Sequence, residues 1–339
     1  MNIQTNISFR DLTTMKLGGK TKYFTEINNL DELTEICRFA DSKSLPIYVI
    51  GGGSNVIAKD AGYHGIVIRN AIKGFDVIDD NKTSTTIRVG AGENWDSVVK
   101  RAVNMDLSGI EAMSAIPGTA GATPVQNVGA YGQEISDTIQ SLEAYDTKSK
   151  KMIILKKNDC NFSYRNSIFK GEFAGRYIIT SITIKLSKSN PVPPFYDSLQ
   201  KYLDIKKIKK YTPQTIRDAV IEIRKEKLPD PKNLPNCGSF FKNVIIGSKK
   251  FSEVKKIHPE IPAYNVGDGK YKISAGWLIE NSGLIGKSLN GMRIYEKNAV
   301  VLTNESALSY DDLKKARDEI IKRVKEEFDI KIEQEPIEI

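Results

Sequence analysis

The sequence is poor in residues that cross-link a chain or ligate a metal: three cysteines and two histidines among 339 residues. Cys37, Cys160 and Cys237 are odd in number and widely spaced, so neither a disulfide framework nor a CxxC metal site is supported. With only His64 and His258 beside them, a zinc centre or a Ser-His-Asp hydrolase is poorly supported, and no metal is expected. No apolar run approaches the roughly 18 residues of a membrane span. The opening residues, MNIQTNISFRDLTTMKLGG, lack the charged-then-apolar pattern of a secretory signal, and a cytoplasmic protein is expected. There is no Arg-rich arm and no zinc-finger spacing. The net charge of +8, from 50 basic and 42 acidic residues, therefore suits small anionic substrates such as nucleotides better than nucleic acid. The basic stretch Lys206-Lys207-Ile208-Lys209-Lys210 reads as a solvated face or linker.

What is present is two or three domains' worth of ordinary globular chain, taking roughly 150 residues per domain. Helical spacing of Leu33, Ile36, Cys37 and Ala40 predicts a helix from Leu30 to Ser44, capped by Asn29. Strands are predicted at 46–50, 65–69, 85–89, 141–146, 152–155 and 176–186. In the last, Ile178, Thr180, Ile182, Ile184 and Leu186 are expected to alternate onto one face. The Pro- and Ser-rich segment 187–194 reads as a linker. A helix should start at Thr212-Pro213 with Ile216, Val220 and Ile223 inward. A last helix should start near Ser309, with Leu313, Ala316, Ile320, Val324 and Phe328 on one face, and a strand over 330–339 should close the chain.

Three glycine-bearing segments carry the first functional hint. A strand runs directly into Gly51-Gly52-Gly53-Ser54-Asn55. The dinucleotide fingerprint GxGxxG fits at Gly51 and Gly53 but fails at Val56, and no GK[ST] follows for a P-loop. Spacing alone leaves a different phosphate loop or a plain tight turn. The second segment, Ile116-Pro117-Gly118-Thr119-Ala120-Gly121-Ala122-Thr123-Pro124-Val125-Gln126-Asn127-Val128-Gly129-Ala130-Tyr131-Gly132, is long and uncharged. A loop beyond about 12–15 residues is usually functional or disordered. The interleaved Ile, Val and Tyr argue against disorder, leaving a backbone laid against a large flat ligand or a compact Ω-loop. Gly90-Ala91-Gly92-Glu93-Asn94-Trp95 is a third strand-to-helix turn.

Together these segments resemble those of the UDP-N-acetylenolpyruvoylglucosamine reductases, in the same order. The likeness continues through Phe162-Ser163-Tyr164-Arg165-Asn166-Ser167-Ile168-Phe169, Lys227-Leu228-Pro229-Asp230-Pro231, Gly238-Ser239-Phe240-Phe241-Lys242-Asn243 and Ala275-Gly276-Trp277-Leu278-Ile279. It spans about Thr13 to Glu335, and the segment around Tyr196 resembles the longer of the family's two subtypes. The resemblance implies an α+β fold. An FAD-binding module of the vanillyl-alcohol-oxidase (PCMH) type in two subdomains, 1–72 and 73–189, would be followed by a linker, 190–213, and a smaller α+β substrate-binding domain, 214–332. The terminal strand, 330–339, would return to the active site.

It also implies the chemistry. NADPH would reduce noncovalently bound FAD, which would reduce the enolpyruvyl group of a UDP-sugar. By this resemblance Arg165 would grip the substrate carboxylate, Ser239 would donate the proton and Glu335 would assist as a second electrophilic group. Spacing alone equally allows a surface ion pair for Arg165, a helix cap for Ser239 and exposed carboxylates for the terminal segment, where Glu333 or Glu338 could replace Glu335. Cofactor contacts are implied for Gly51, Gly52, Gly53, Ser54, Asn55, Pro117, Gly118, Gly121, Ala122, Thr123, Gln126, Asn127, Gly129, Ala130 and Tyr131. Substrate contacts are implied for Tyr196, Lys227, Asn243, Tyr264, Lys272 and Asn298. The alternatives are a flavin oxidase of the same fold acting on a sugar or alcohol, and a nucleotide-sugar-binding regulator without catalysis. The oligomeric state is not readable, and a monomer is compatible with the sequence.

Overall fold

Asn29 starts the first long helix, its side chain accepting from the Glu32 amide at 2.9 Å. Such a cap is worth about 1 kcal/mol. The computed structural model describes residues 2–339. By contact the chain divides into two compact units. The first comprises 1–7, 21–53 and 64–226; the second comprises 8–20, 54–63 and 227–339.

The first unit is built on a four-stranded and a five-stranded sheet. In the smaller, Ile47–Ile50 runs parallel to Tyr63–Asn70, and the helix Leu30–Ser42 buries Leu33, Ile36, Cys37 and Ala40 against it. The larger is antiparallel, in the order Lys151–Lys156, Ile139–Asp146, Tyr177–Ser187, Ser84–Gly90, Phe75–Asp80. Its inner face packs on Trp95, Val98, Val99, Ala102 and Val103 of the helix Trp95–Asn104.

The expected one-face alternation along 176–186 does not hold throughout. Ala144 pairs with Ile179 and Glu143 with Ser181, so Thr180 is an extra residue, a β-bulge that shifts the phase. Ile179, not Ile178, therefore shares a core with Ile182, Ile184 and Leu186, while Ile178 faces the core beneath the smaller sheet. The displaced Thr180 carbonyl accepts from Ala91 at 2.9 Å, tying the bulge to a glycine segment.

The segment after the Pro-rich break is not all linker. Asp197–Ile205 is helical and buries Leu199 and Leu203 against Ile216, Ala219, Val220 and Ile223 of the helix Pro213–Lys227. Burying each leucine contributes about 1.5–3 kcal/mol, enough to order so short a helix.

In the second unit the helix Tyr310–Phe328 carries Leu313, Ala316, Ile320, Val324 and Phe328 into one core, as its spacing predicts. Ser309 caps it reciprocally with Asp312. The core also holds a four-stranded sheet (Asn236–Ser239, Val301–Asn304, Met292–Ile294, Ser288–Leu289) and a three-stranded one (Val244–Gly247, Lys270–Ile273, Ala263–Asn265). The single closing strand expected over 330–339 is instead two dipeptide strands. Glu333–Gln334 pairs antiparallel with Phe241–Lys242, and Ile337–Glu338 pairs parallel with Val56–Ile57. Pro336 has no N–H to continue one ladder into the next.

Candidate functional site

The three glycine segments converge within the first unit. A Cβ on Gly51 would lie 2.5 Å from Thr119 Oγ1, and one on Gly52 would lie 3.1 Å from Gly118 Cα. A Cβ on Gly121 would lie 2.5 Å from the Ala91 Cβ. The backbones are stitched as well: Trp95 N–H donates to Gly118 O at 3.1 Å, Ala120 to Glu93 at 2.9 Å and Gly121 to Ala91 at 2.9 Å. Glycine is thus required by close approach between loops, not by flexibility. No acidic residue occurs in 50–56 or 114–132. An uncharged, amide-rich surface of this kind fits a diphosphate-bearing dinucleotide such as FAD.

The long loop has its own skeleton of short 3₁₀ turns, Ala120–Ala122 and Pro124–Gln126, and a small hairpin, Gly129–Ala130 with Gln133–Glu134. Several of its polar side chains brace it. Thr123 Oγ1 donates to Ala120 O at 2.7 Å. Asn127 donates to Glu134 Oε2 at 2.6 Å and accepts from Ser136 N at 3.1 Å. Lys170 reaches Gln126 Oε1 at 3.3 Å.

Arg165 sits at the corner of a tight turn closed by reciprocal Ser163 and Asn166 backbone bonds of 3.1 and 3.0 Å. Its Nη2 donates to Gly129 O at 2.8 Å, and its guanidinium lies 5.2 Å from the Tyr164 ring centroid. It is a half-buried cation tied to the long loop. Tyr131 meets Tyr196 edge to face at 6.2 Å.

Two arginines on the helix Pro213–Lys227 escape the sequence reading. Arg217 is buried and grips Asp96 at 2.7 and 3.0 Å while donating to Ser114 Oγ at 3.0 Å. Burial pushes the Asp96 carboxyl up, but Arg217 and the Ala115 amide together hold it below its ordinary value. Arg224, two turns further along the same helix, is lowered by burial and hydrogen-bonds Tyr131. Its Nε is buried with no hydrogen-bond partner among the described residues. Their seven-residue spacing on an inward face was the available signal.

In the second unit, Ser239 ends the strand Asn236–Ser239 opposite Val301, not at a helix start as a cap would be. Gly238, with φ of +73°, turns the chain there, and its amide donates to Asn236 Oδ1 at 2.8 Å. The next residue, Phe240, accepts from the Glu335 amide at 2.8 Å. Glu335 lies between two dipeptide strands, and this bond ties it to the residue after Ser239. Burial first, and then the Glu335 carboxylate, push the Cys237 thiol up. The other two terminal glutamates are engaged elsewhere. Glu333 pairs with Lys242 at 2.6 Å on the surface, and Glu338 accepts from Tyr310 at 2.5 Å and pairs with Lys59 at 3.1 Å.

Tyr264 and Lys272 face each other across an antiparallel pair, with Ile245 on the other side of Lys272. Asn243 Oδ1 accepts from Ala275 N at 3.1 Å, beside the Ser274-capped helix. Asn298 lies in a tight turn, its amide donating to Tyr295 O at 3.2 Å. Lys227 is the last residue of its helix, and Asn55 O accepts from Ile337 N at 3.0 Å. Ser54 is half-buried.

Fold and glycine surface define a flavoprotein. Residues 21–152 match the model of an FAD binding domain, and residues 230–339 match that of the UDP-N-acetylenolpyruvoylglucosamine reductase C-terminal domain. Reductases of that name from Flavobacterium johnsoniae and Neisseria gonorrhoeae are both 37% identical, the first over 99% of each chain, the second over 96% of this chain and 95% of its own. The chain belongs to the UDP-N-acetylenolpyruvoylglucosamine reductase family. The crystal structure of the Thermus caldophilus enzyme of that name has the same fold, with a TM-score of 0.69 and 22% identity over 100% of this chain and 99% of that one. The 4-ethylphenol oxidase of Gulosibacter chungangensis shares the fold more distantly, with a TM-score of 0.50 and 11% identity over 91% of this chain and 80% of its own. No helix among the described residues is long and apolar enough to cross a membrane.

Proposed function

We propose that this protein reduces the enolpyruvyl group of UDP-N-acetylglucosamine enolpyruvate to the lactyl ether. The product, UDP-N-acetylmuramate, would serve peptidoglycan precursor synthesis in the cytoplasm. NADPH is the reductant, and FAD, when bound, carries the hydride. The observation that supports this reading is the backbone bond from Glu335 to Phe240, the residue after Ser239.

A hydride added to one carbon of the double bond leaves negative charge that the conjugated carboxylate must accept, and a proton must reach the other carbon. Arg165 keeps its charge at any working pH and suits the carboxylate. Ser239 Oγ supplies the proton. Glu335 is assigned to the same end of the substrate on the family resemblance of the terminal segment. Lys227, Asn243, Tyr264, Lys272 and Asn298 in the second unit, and Tyr196 in the first, are assigned to the UDP portion. Lysine suits a diphosphate as a point charge.

The test is a visible spectrum of the purified protein, followed anaerobically by NADPH and then by UDP-N-acetylglucosamine enolpyruvate. Bleaching by NADPH with yellow colour returning on the UDP-sugar is the expected result. Colour returning only with air would instead favour an oxidase, and a colourless protein that cannot be reconstituted with FAD would overturn the proposal.

A further inference from the structure

The segment carrying Glu335 is tied by its backbone to two different strands, with a break between the two ladders at Pro336. Two dipeptide strands flank it, and Pro336 between them offers no donor. Side chains bridge that break. Arg317 Nη1, on the helix Tyr310–Phe328, donates to Gln334 Oε1 at 2.7 Å and to Glu338 Oε2 at 3.2 Å. It therefore clasps the chain on both sides of Glu335. The Tyr310 hydroxyl donates to the same Glu338 oxygen at 2.5 Å, and Lys59 Nζ lies 3.1 Å from the other. Gln334 turns back to Pro336 O at 3.1 Å.

The clasp is itself anchored. Asp60 accepts from the amides of Tyr310 at 2.8 Å and Asp311 at 3.3 Å, fixing the helix start. Ile337 and Ile339 donate to Asn55 and Ile57, each at 3.0 Å, and Lys59 donates back to Ile339 at 2.9 Å. Arg317 is 14% exposed and Glu338 26%, so solvent screens this pair far less than the surface pairs along the same helix. Partly buried charge of this kind is a poor source of net stability, but it selects one geometry.

We propose that Arg317, seconded by Tyr310 and Glu338, is a positioning residue that sets the placement of Glu335 for the proton-transfer half of the reaction. This rests on the role assigned to Glu335 above. None of the three needs to touch substrate or flavin. Their effect passes through Gln334 and Glu338, which flank Glu335.

The test uses FAD-loaded protein and runs the two half-reactions separately in a stopped-flow instrument. For Arg317→Met we expect flavin reoxidation by the UDP-sugar to slow by about tenfold to a hundredfold, with flavin reduction by NADPH and the KM for the UDP-sugar changed by less than about threefold. In a Glu335→Gln background the same change should add little. Hydrogen exchange should show faster exchange at Glu335, Ile337 and Ile339, with the rest of the second unit as protected as in the parent. If Glu335→Gln alone reoxidises at the parent's rate, the role of Glu335 itself is wrong. If Glu335→Gln is slow but Arg317→Met is not, or is equally damaging in both backgrounds or both half-reactions, the positioning role alone falls. Should Arg317→Met fail to hold flavin, Tyr310→Phe removes a single hydroxyl. A smaller reoxidation loss, again absent in the Glu335→Gln background, supports the proposal, and parent-like rates overturn it.

Discussion

The amide of Glu335 donates to the carbonyl of Phe240 at 2.8 Å, one residue beyond Ser239. This bond joins two segments that lie far apart in sequence and makes the proposed proton donor and its carboxylate neighbour parts of one local structure.

Replacing Ser239 with Ala should therefore separate the half-reactions. Flavin reduction by NADPH is expected to stay at the parent's rate, while reoxidation by the UDP-sugar slows by about 10²–10⁴-fold, the usual worth of a general acid. Stopped-flow absorbance at the flavin band measures both. Equal losses in the two would indicate damaged flavin binding instead.

Arg165 offers a contrast. Arg165→Lys keeps a charge but loses the fork that can hold a carboxylate at two points. Its reoxidation rate should fall between those of the parent and Arg165→Ala. A lysine variant as slow as alanine would show that geometry alone matters, and one as fast as the parent would remove the bidentate role.

The loop contacts predict a stability effect as well as a binding one. At Gly121 an added methyl meets the Ala91 Cβ at 2.5 Å and its Cα at 3.0 Å, so backbone must move. Gly121→Ala should cost about 1–3 kcal/mol, as overpacking does. It should also weaken FAD retention during gel filtration. Thermal melts of apoprotein and FAD-loaded protein would show both; an unchanged apoprotein melt would mean the loops yield more easily than their spacing indicates.

Acid stability should depend on Asp146. Its hydrogen bonds from Arg176 Nε and Nη2, at 2.9 and 2.8 Å, lead the causes that hold its carboxyl well below the ordinary 3.8. A depressed folded value makes this contribution complete above the unfolded value and lost as pH falls below it toward the folded one. Asp146→Asn should thus melt lower than the parent by a constant margin from pH 7 down to about pH 5, with the margin closing below about pH 3.8. A margin at about pH 2 as large as the one at about pH 7 would contradict the assignment.

The thiols should be silent. Burial pushes Cys37 and Cys160 up to about 12 and raises Cys237 as well, leaving almost no thiolate at neutral pH. A disulfide reagent at pH 8 should find no fast-reacting thiol in the folded protein and all three after guanidinium unfolding. A rapid native reaction would locate an opening motion near one of them.

The sequence shows most elements because their signals are local. Asn29 before Leu33, Ile36 and Ala40, and Ser309 before Leu313, Ala316 and Ile320, announce caps and buried faces within a few residues. What it hides depends on distant partners. The bulge at Thr180 follows from pairing with Glu143 and Ala144, so period-two reading continues through it and puts Ile178 on the wrong face. The helix Asp197–Ile205 forms because Leu199 and Leu203 find Ile216 and Val220, which its lysine-rich surroundings do not suggest. At the candidate site, residue types were legible through ordered motifs. The engagement of Glu333 by Lys242 and of Glu338 by Tyr310 was not, because each pairing is set by the folded register.

The interleaved make-up of the second unit also has a consequence for synthesis. Asp60, which caps the last helix, stands 250 residues ahead of Tyr310. At about 5–20 residues per second, a ribosome takes roughly 12–50 s to deliver that partner. Throughout that interval Met15, Leu17 and Ile57 wait without the core they will join. Residues 8–20 and 54–63 are thus made long before the rest of the unit that will cover them.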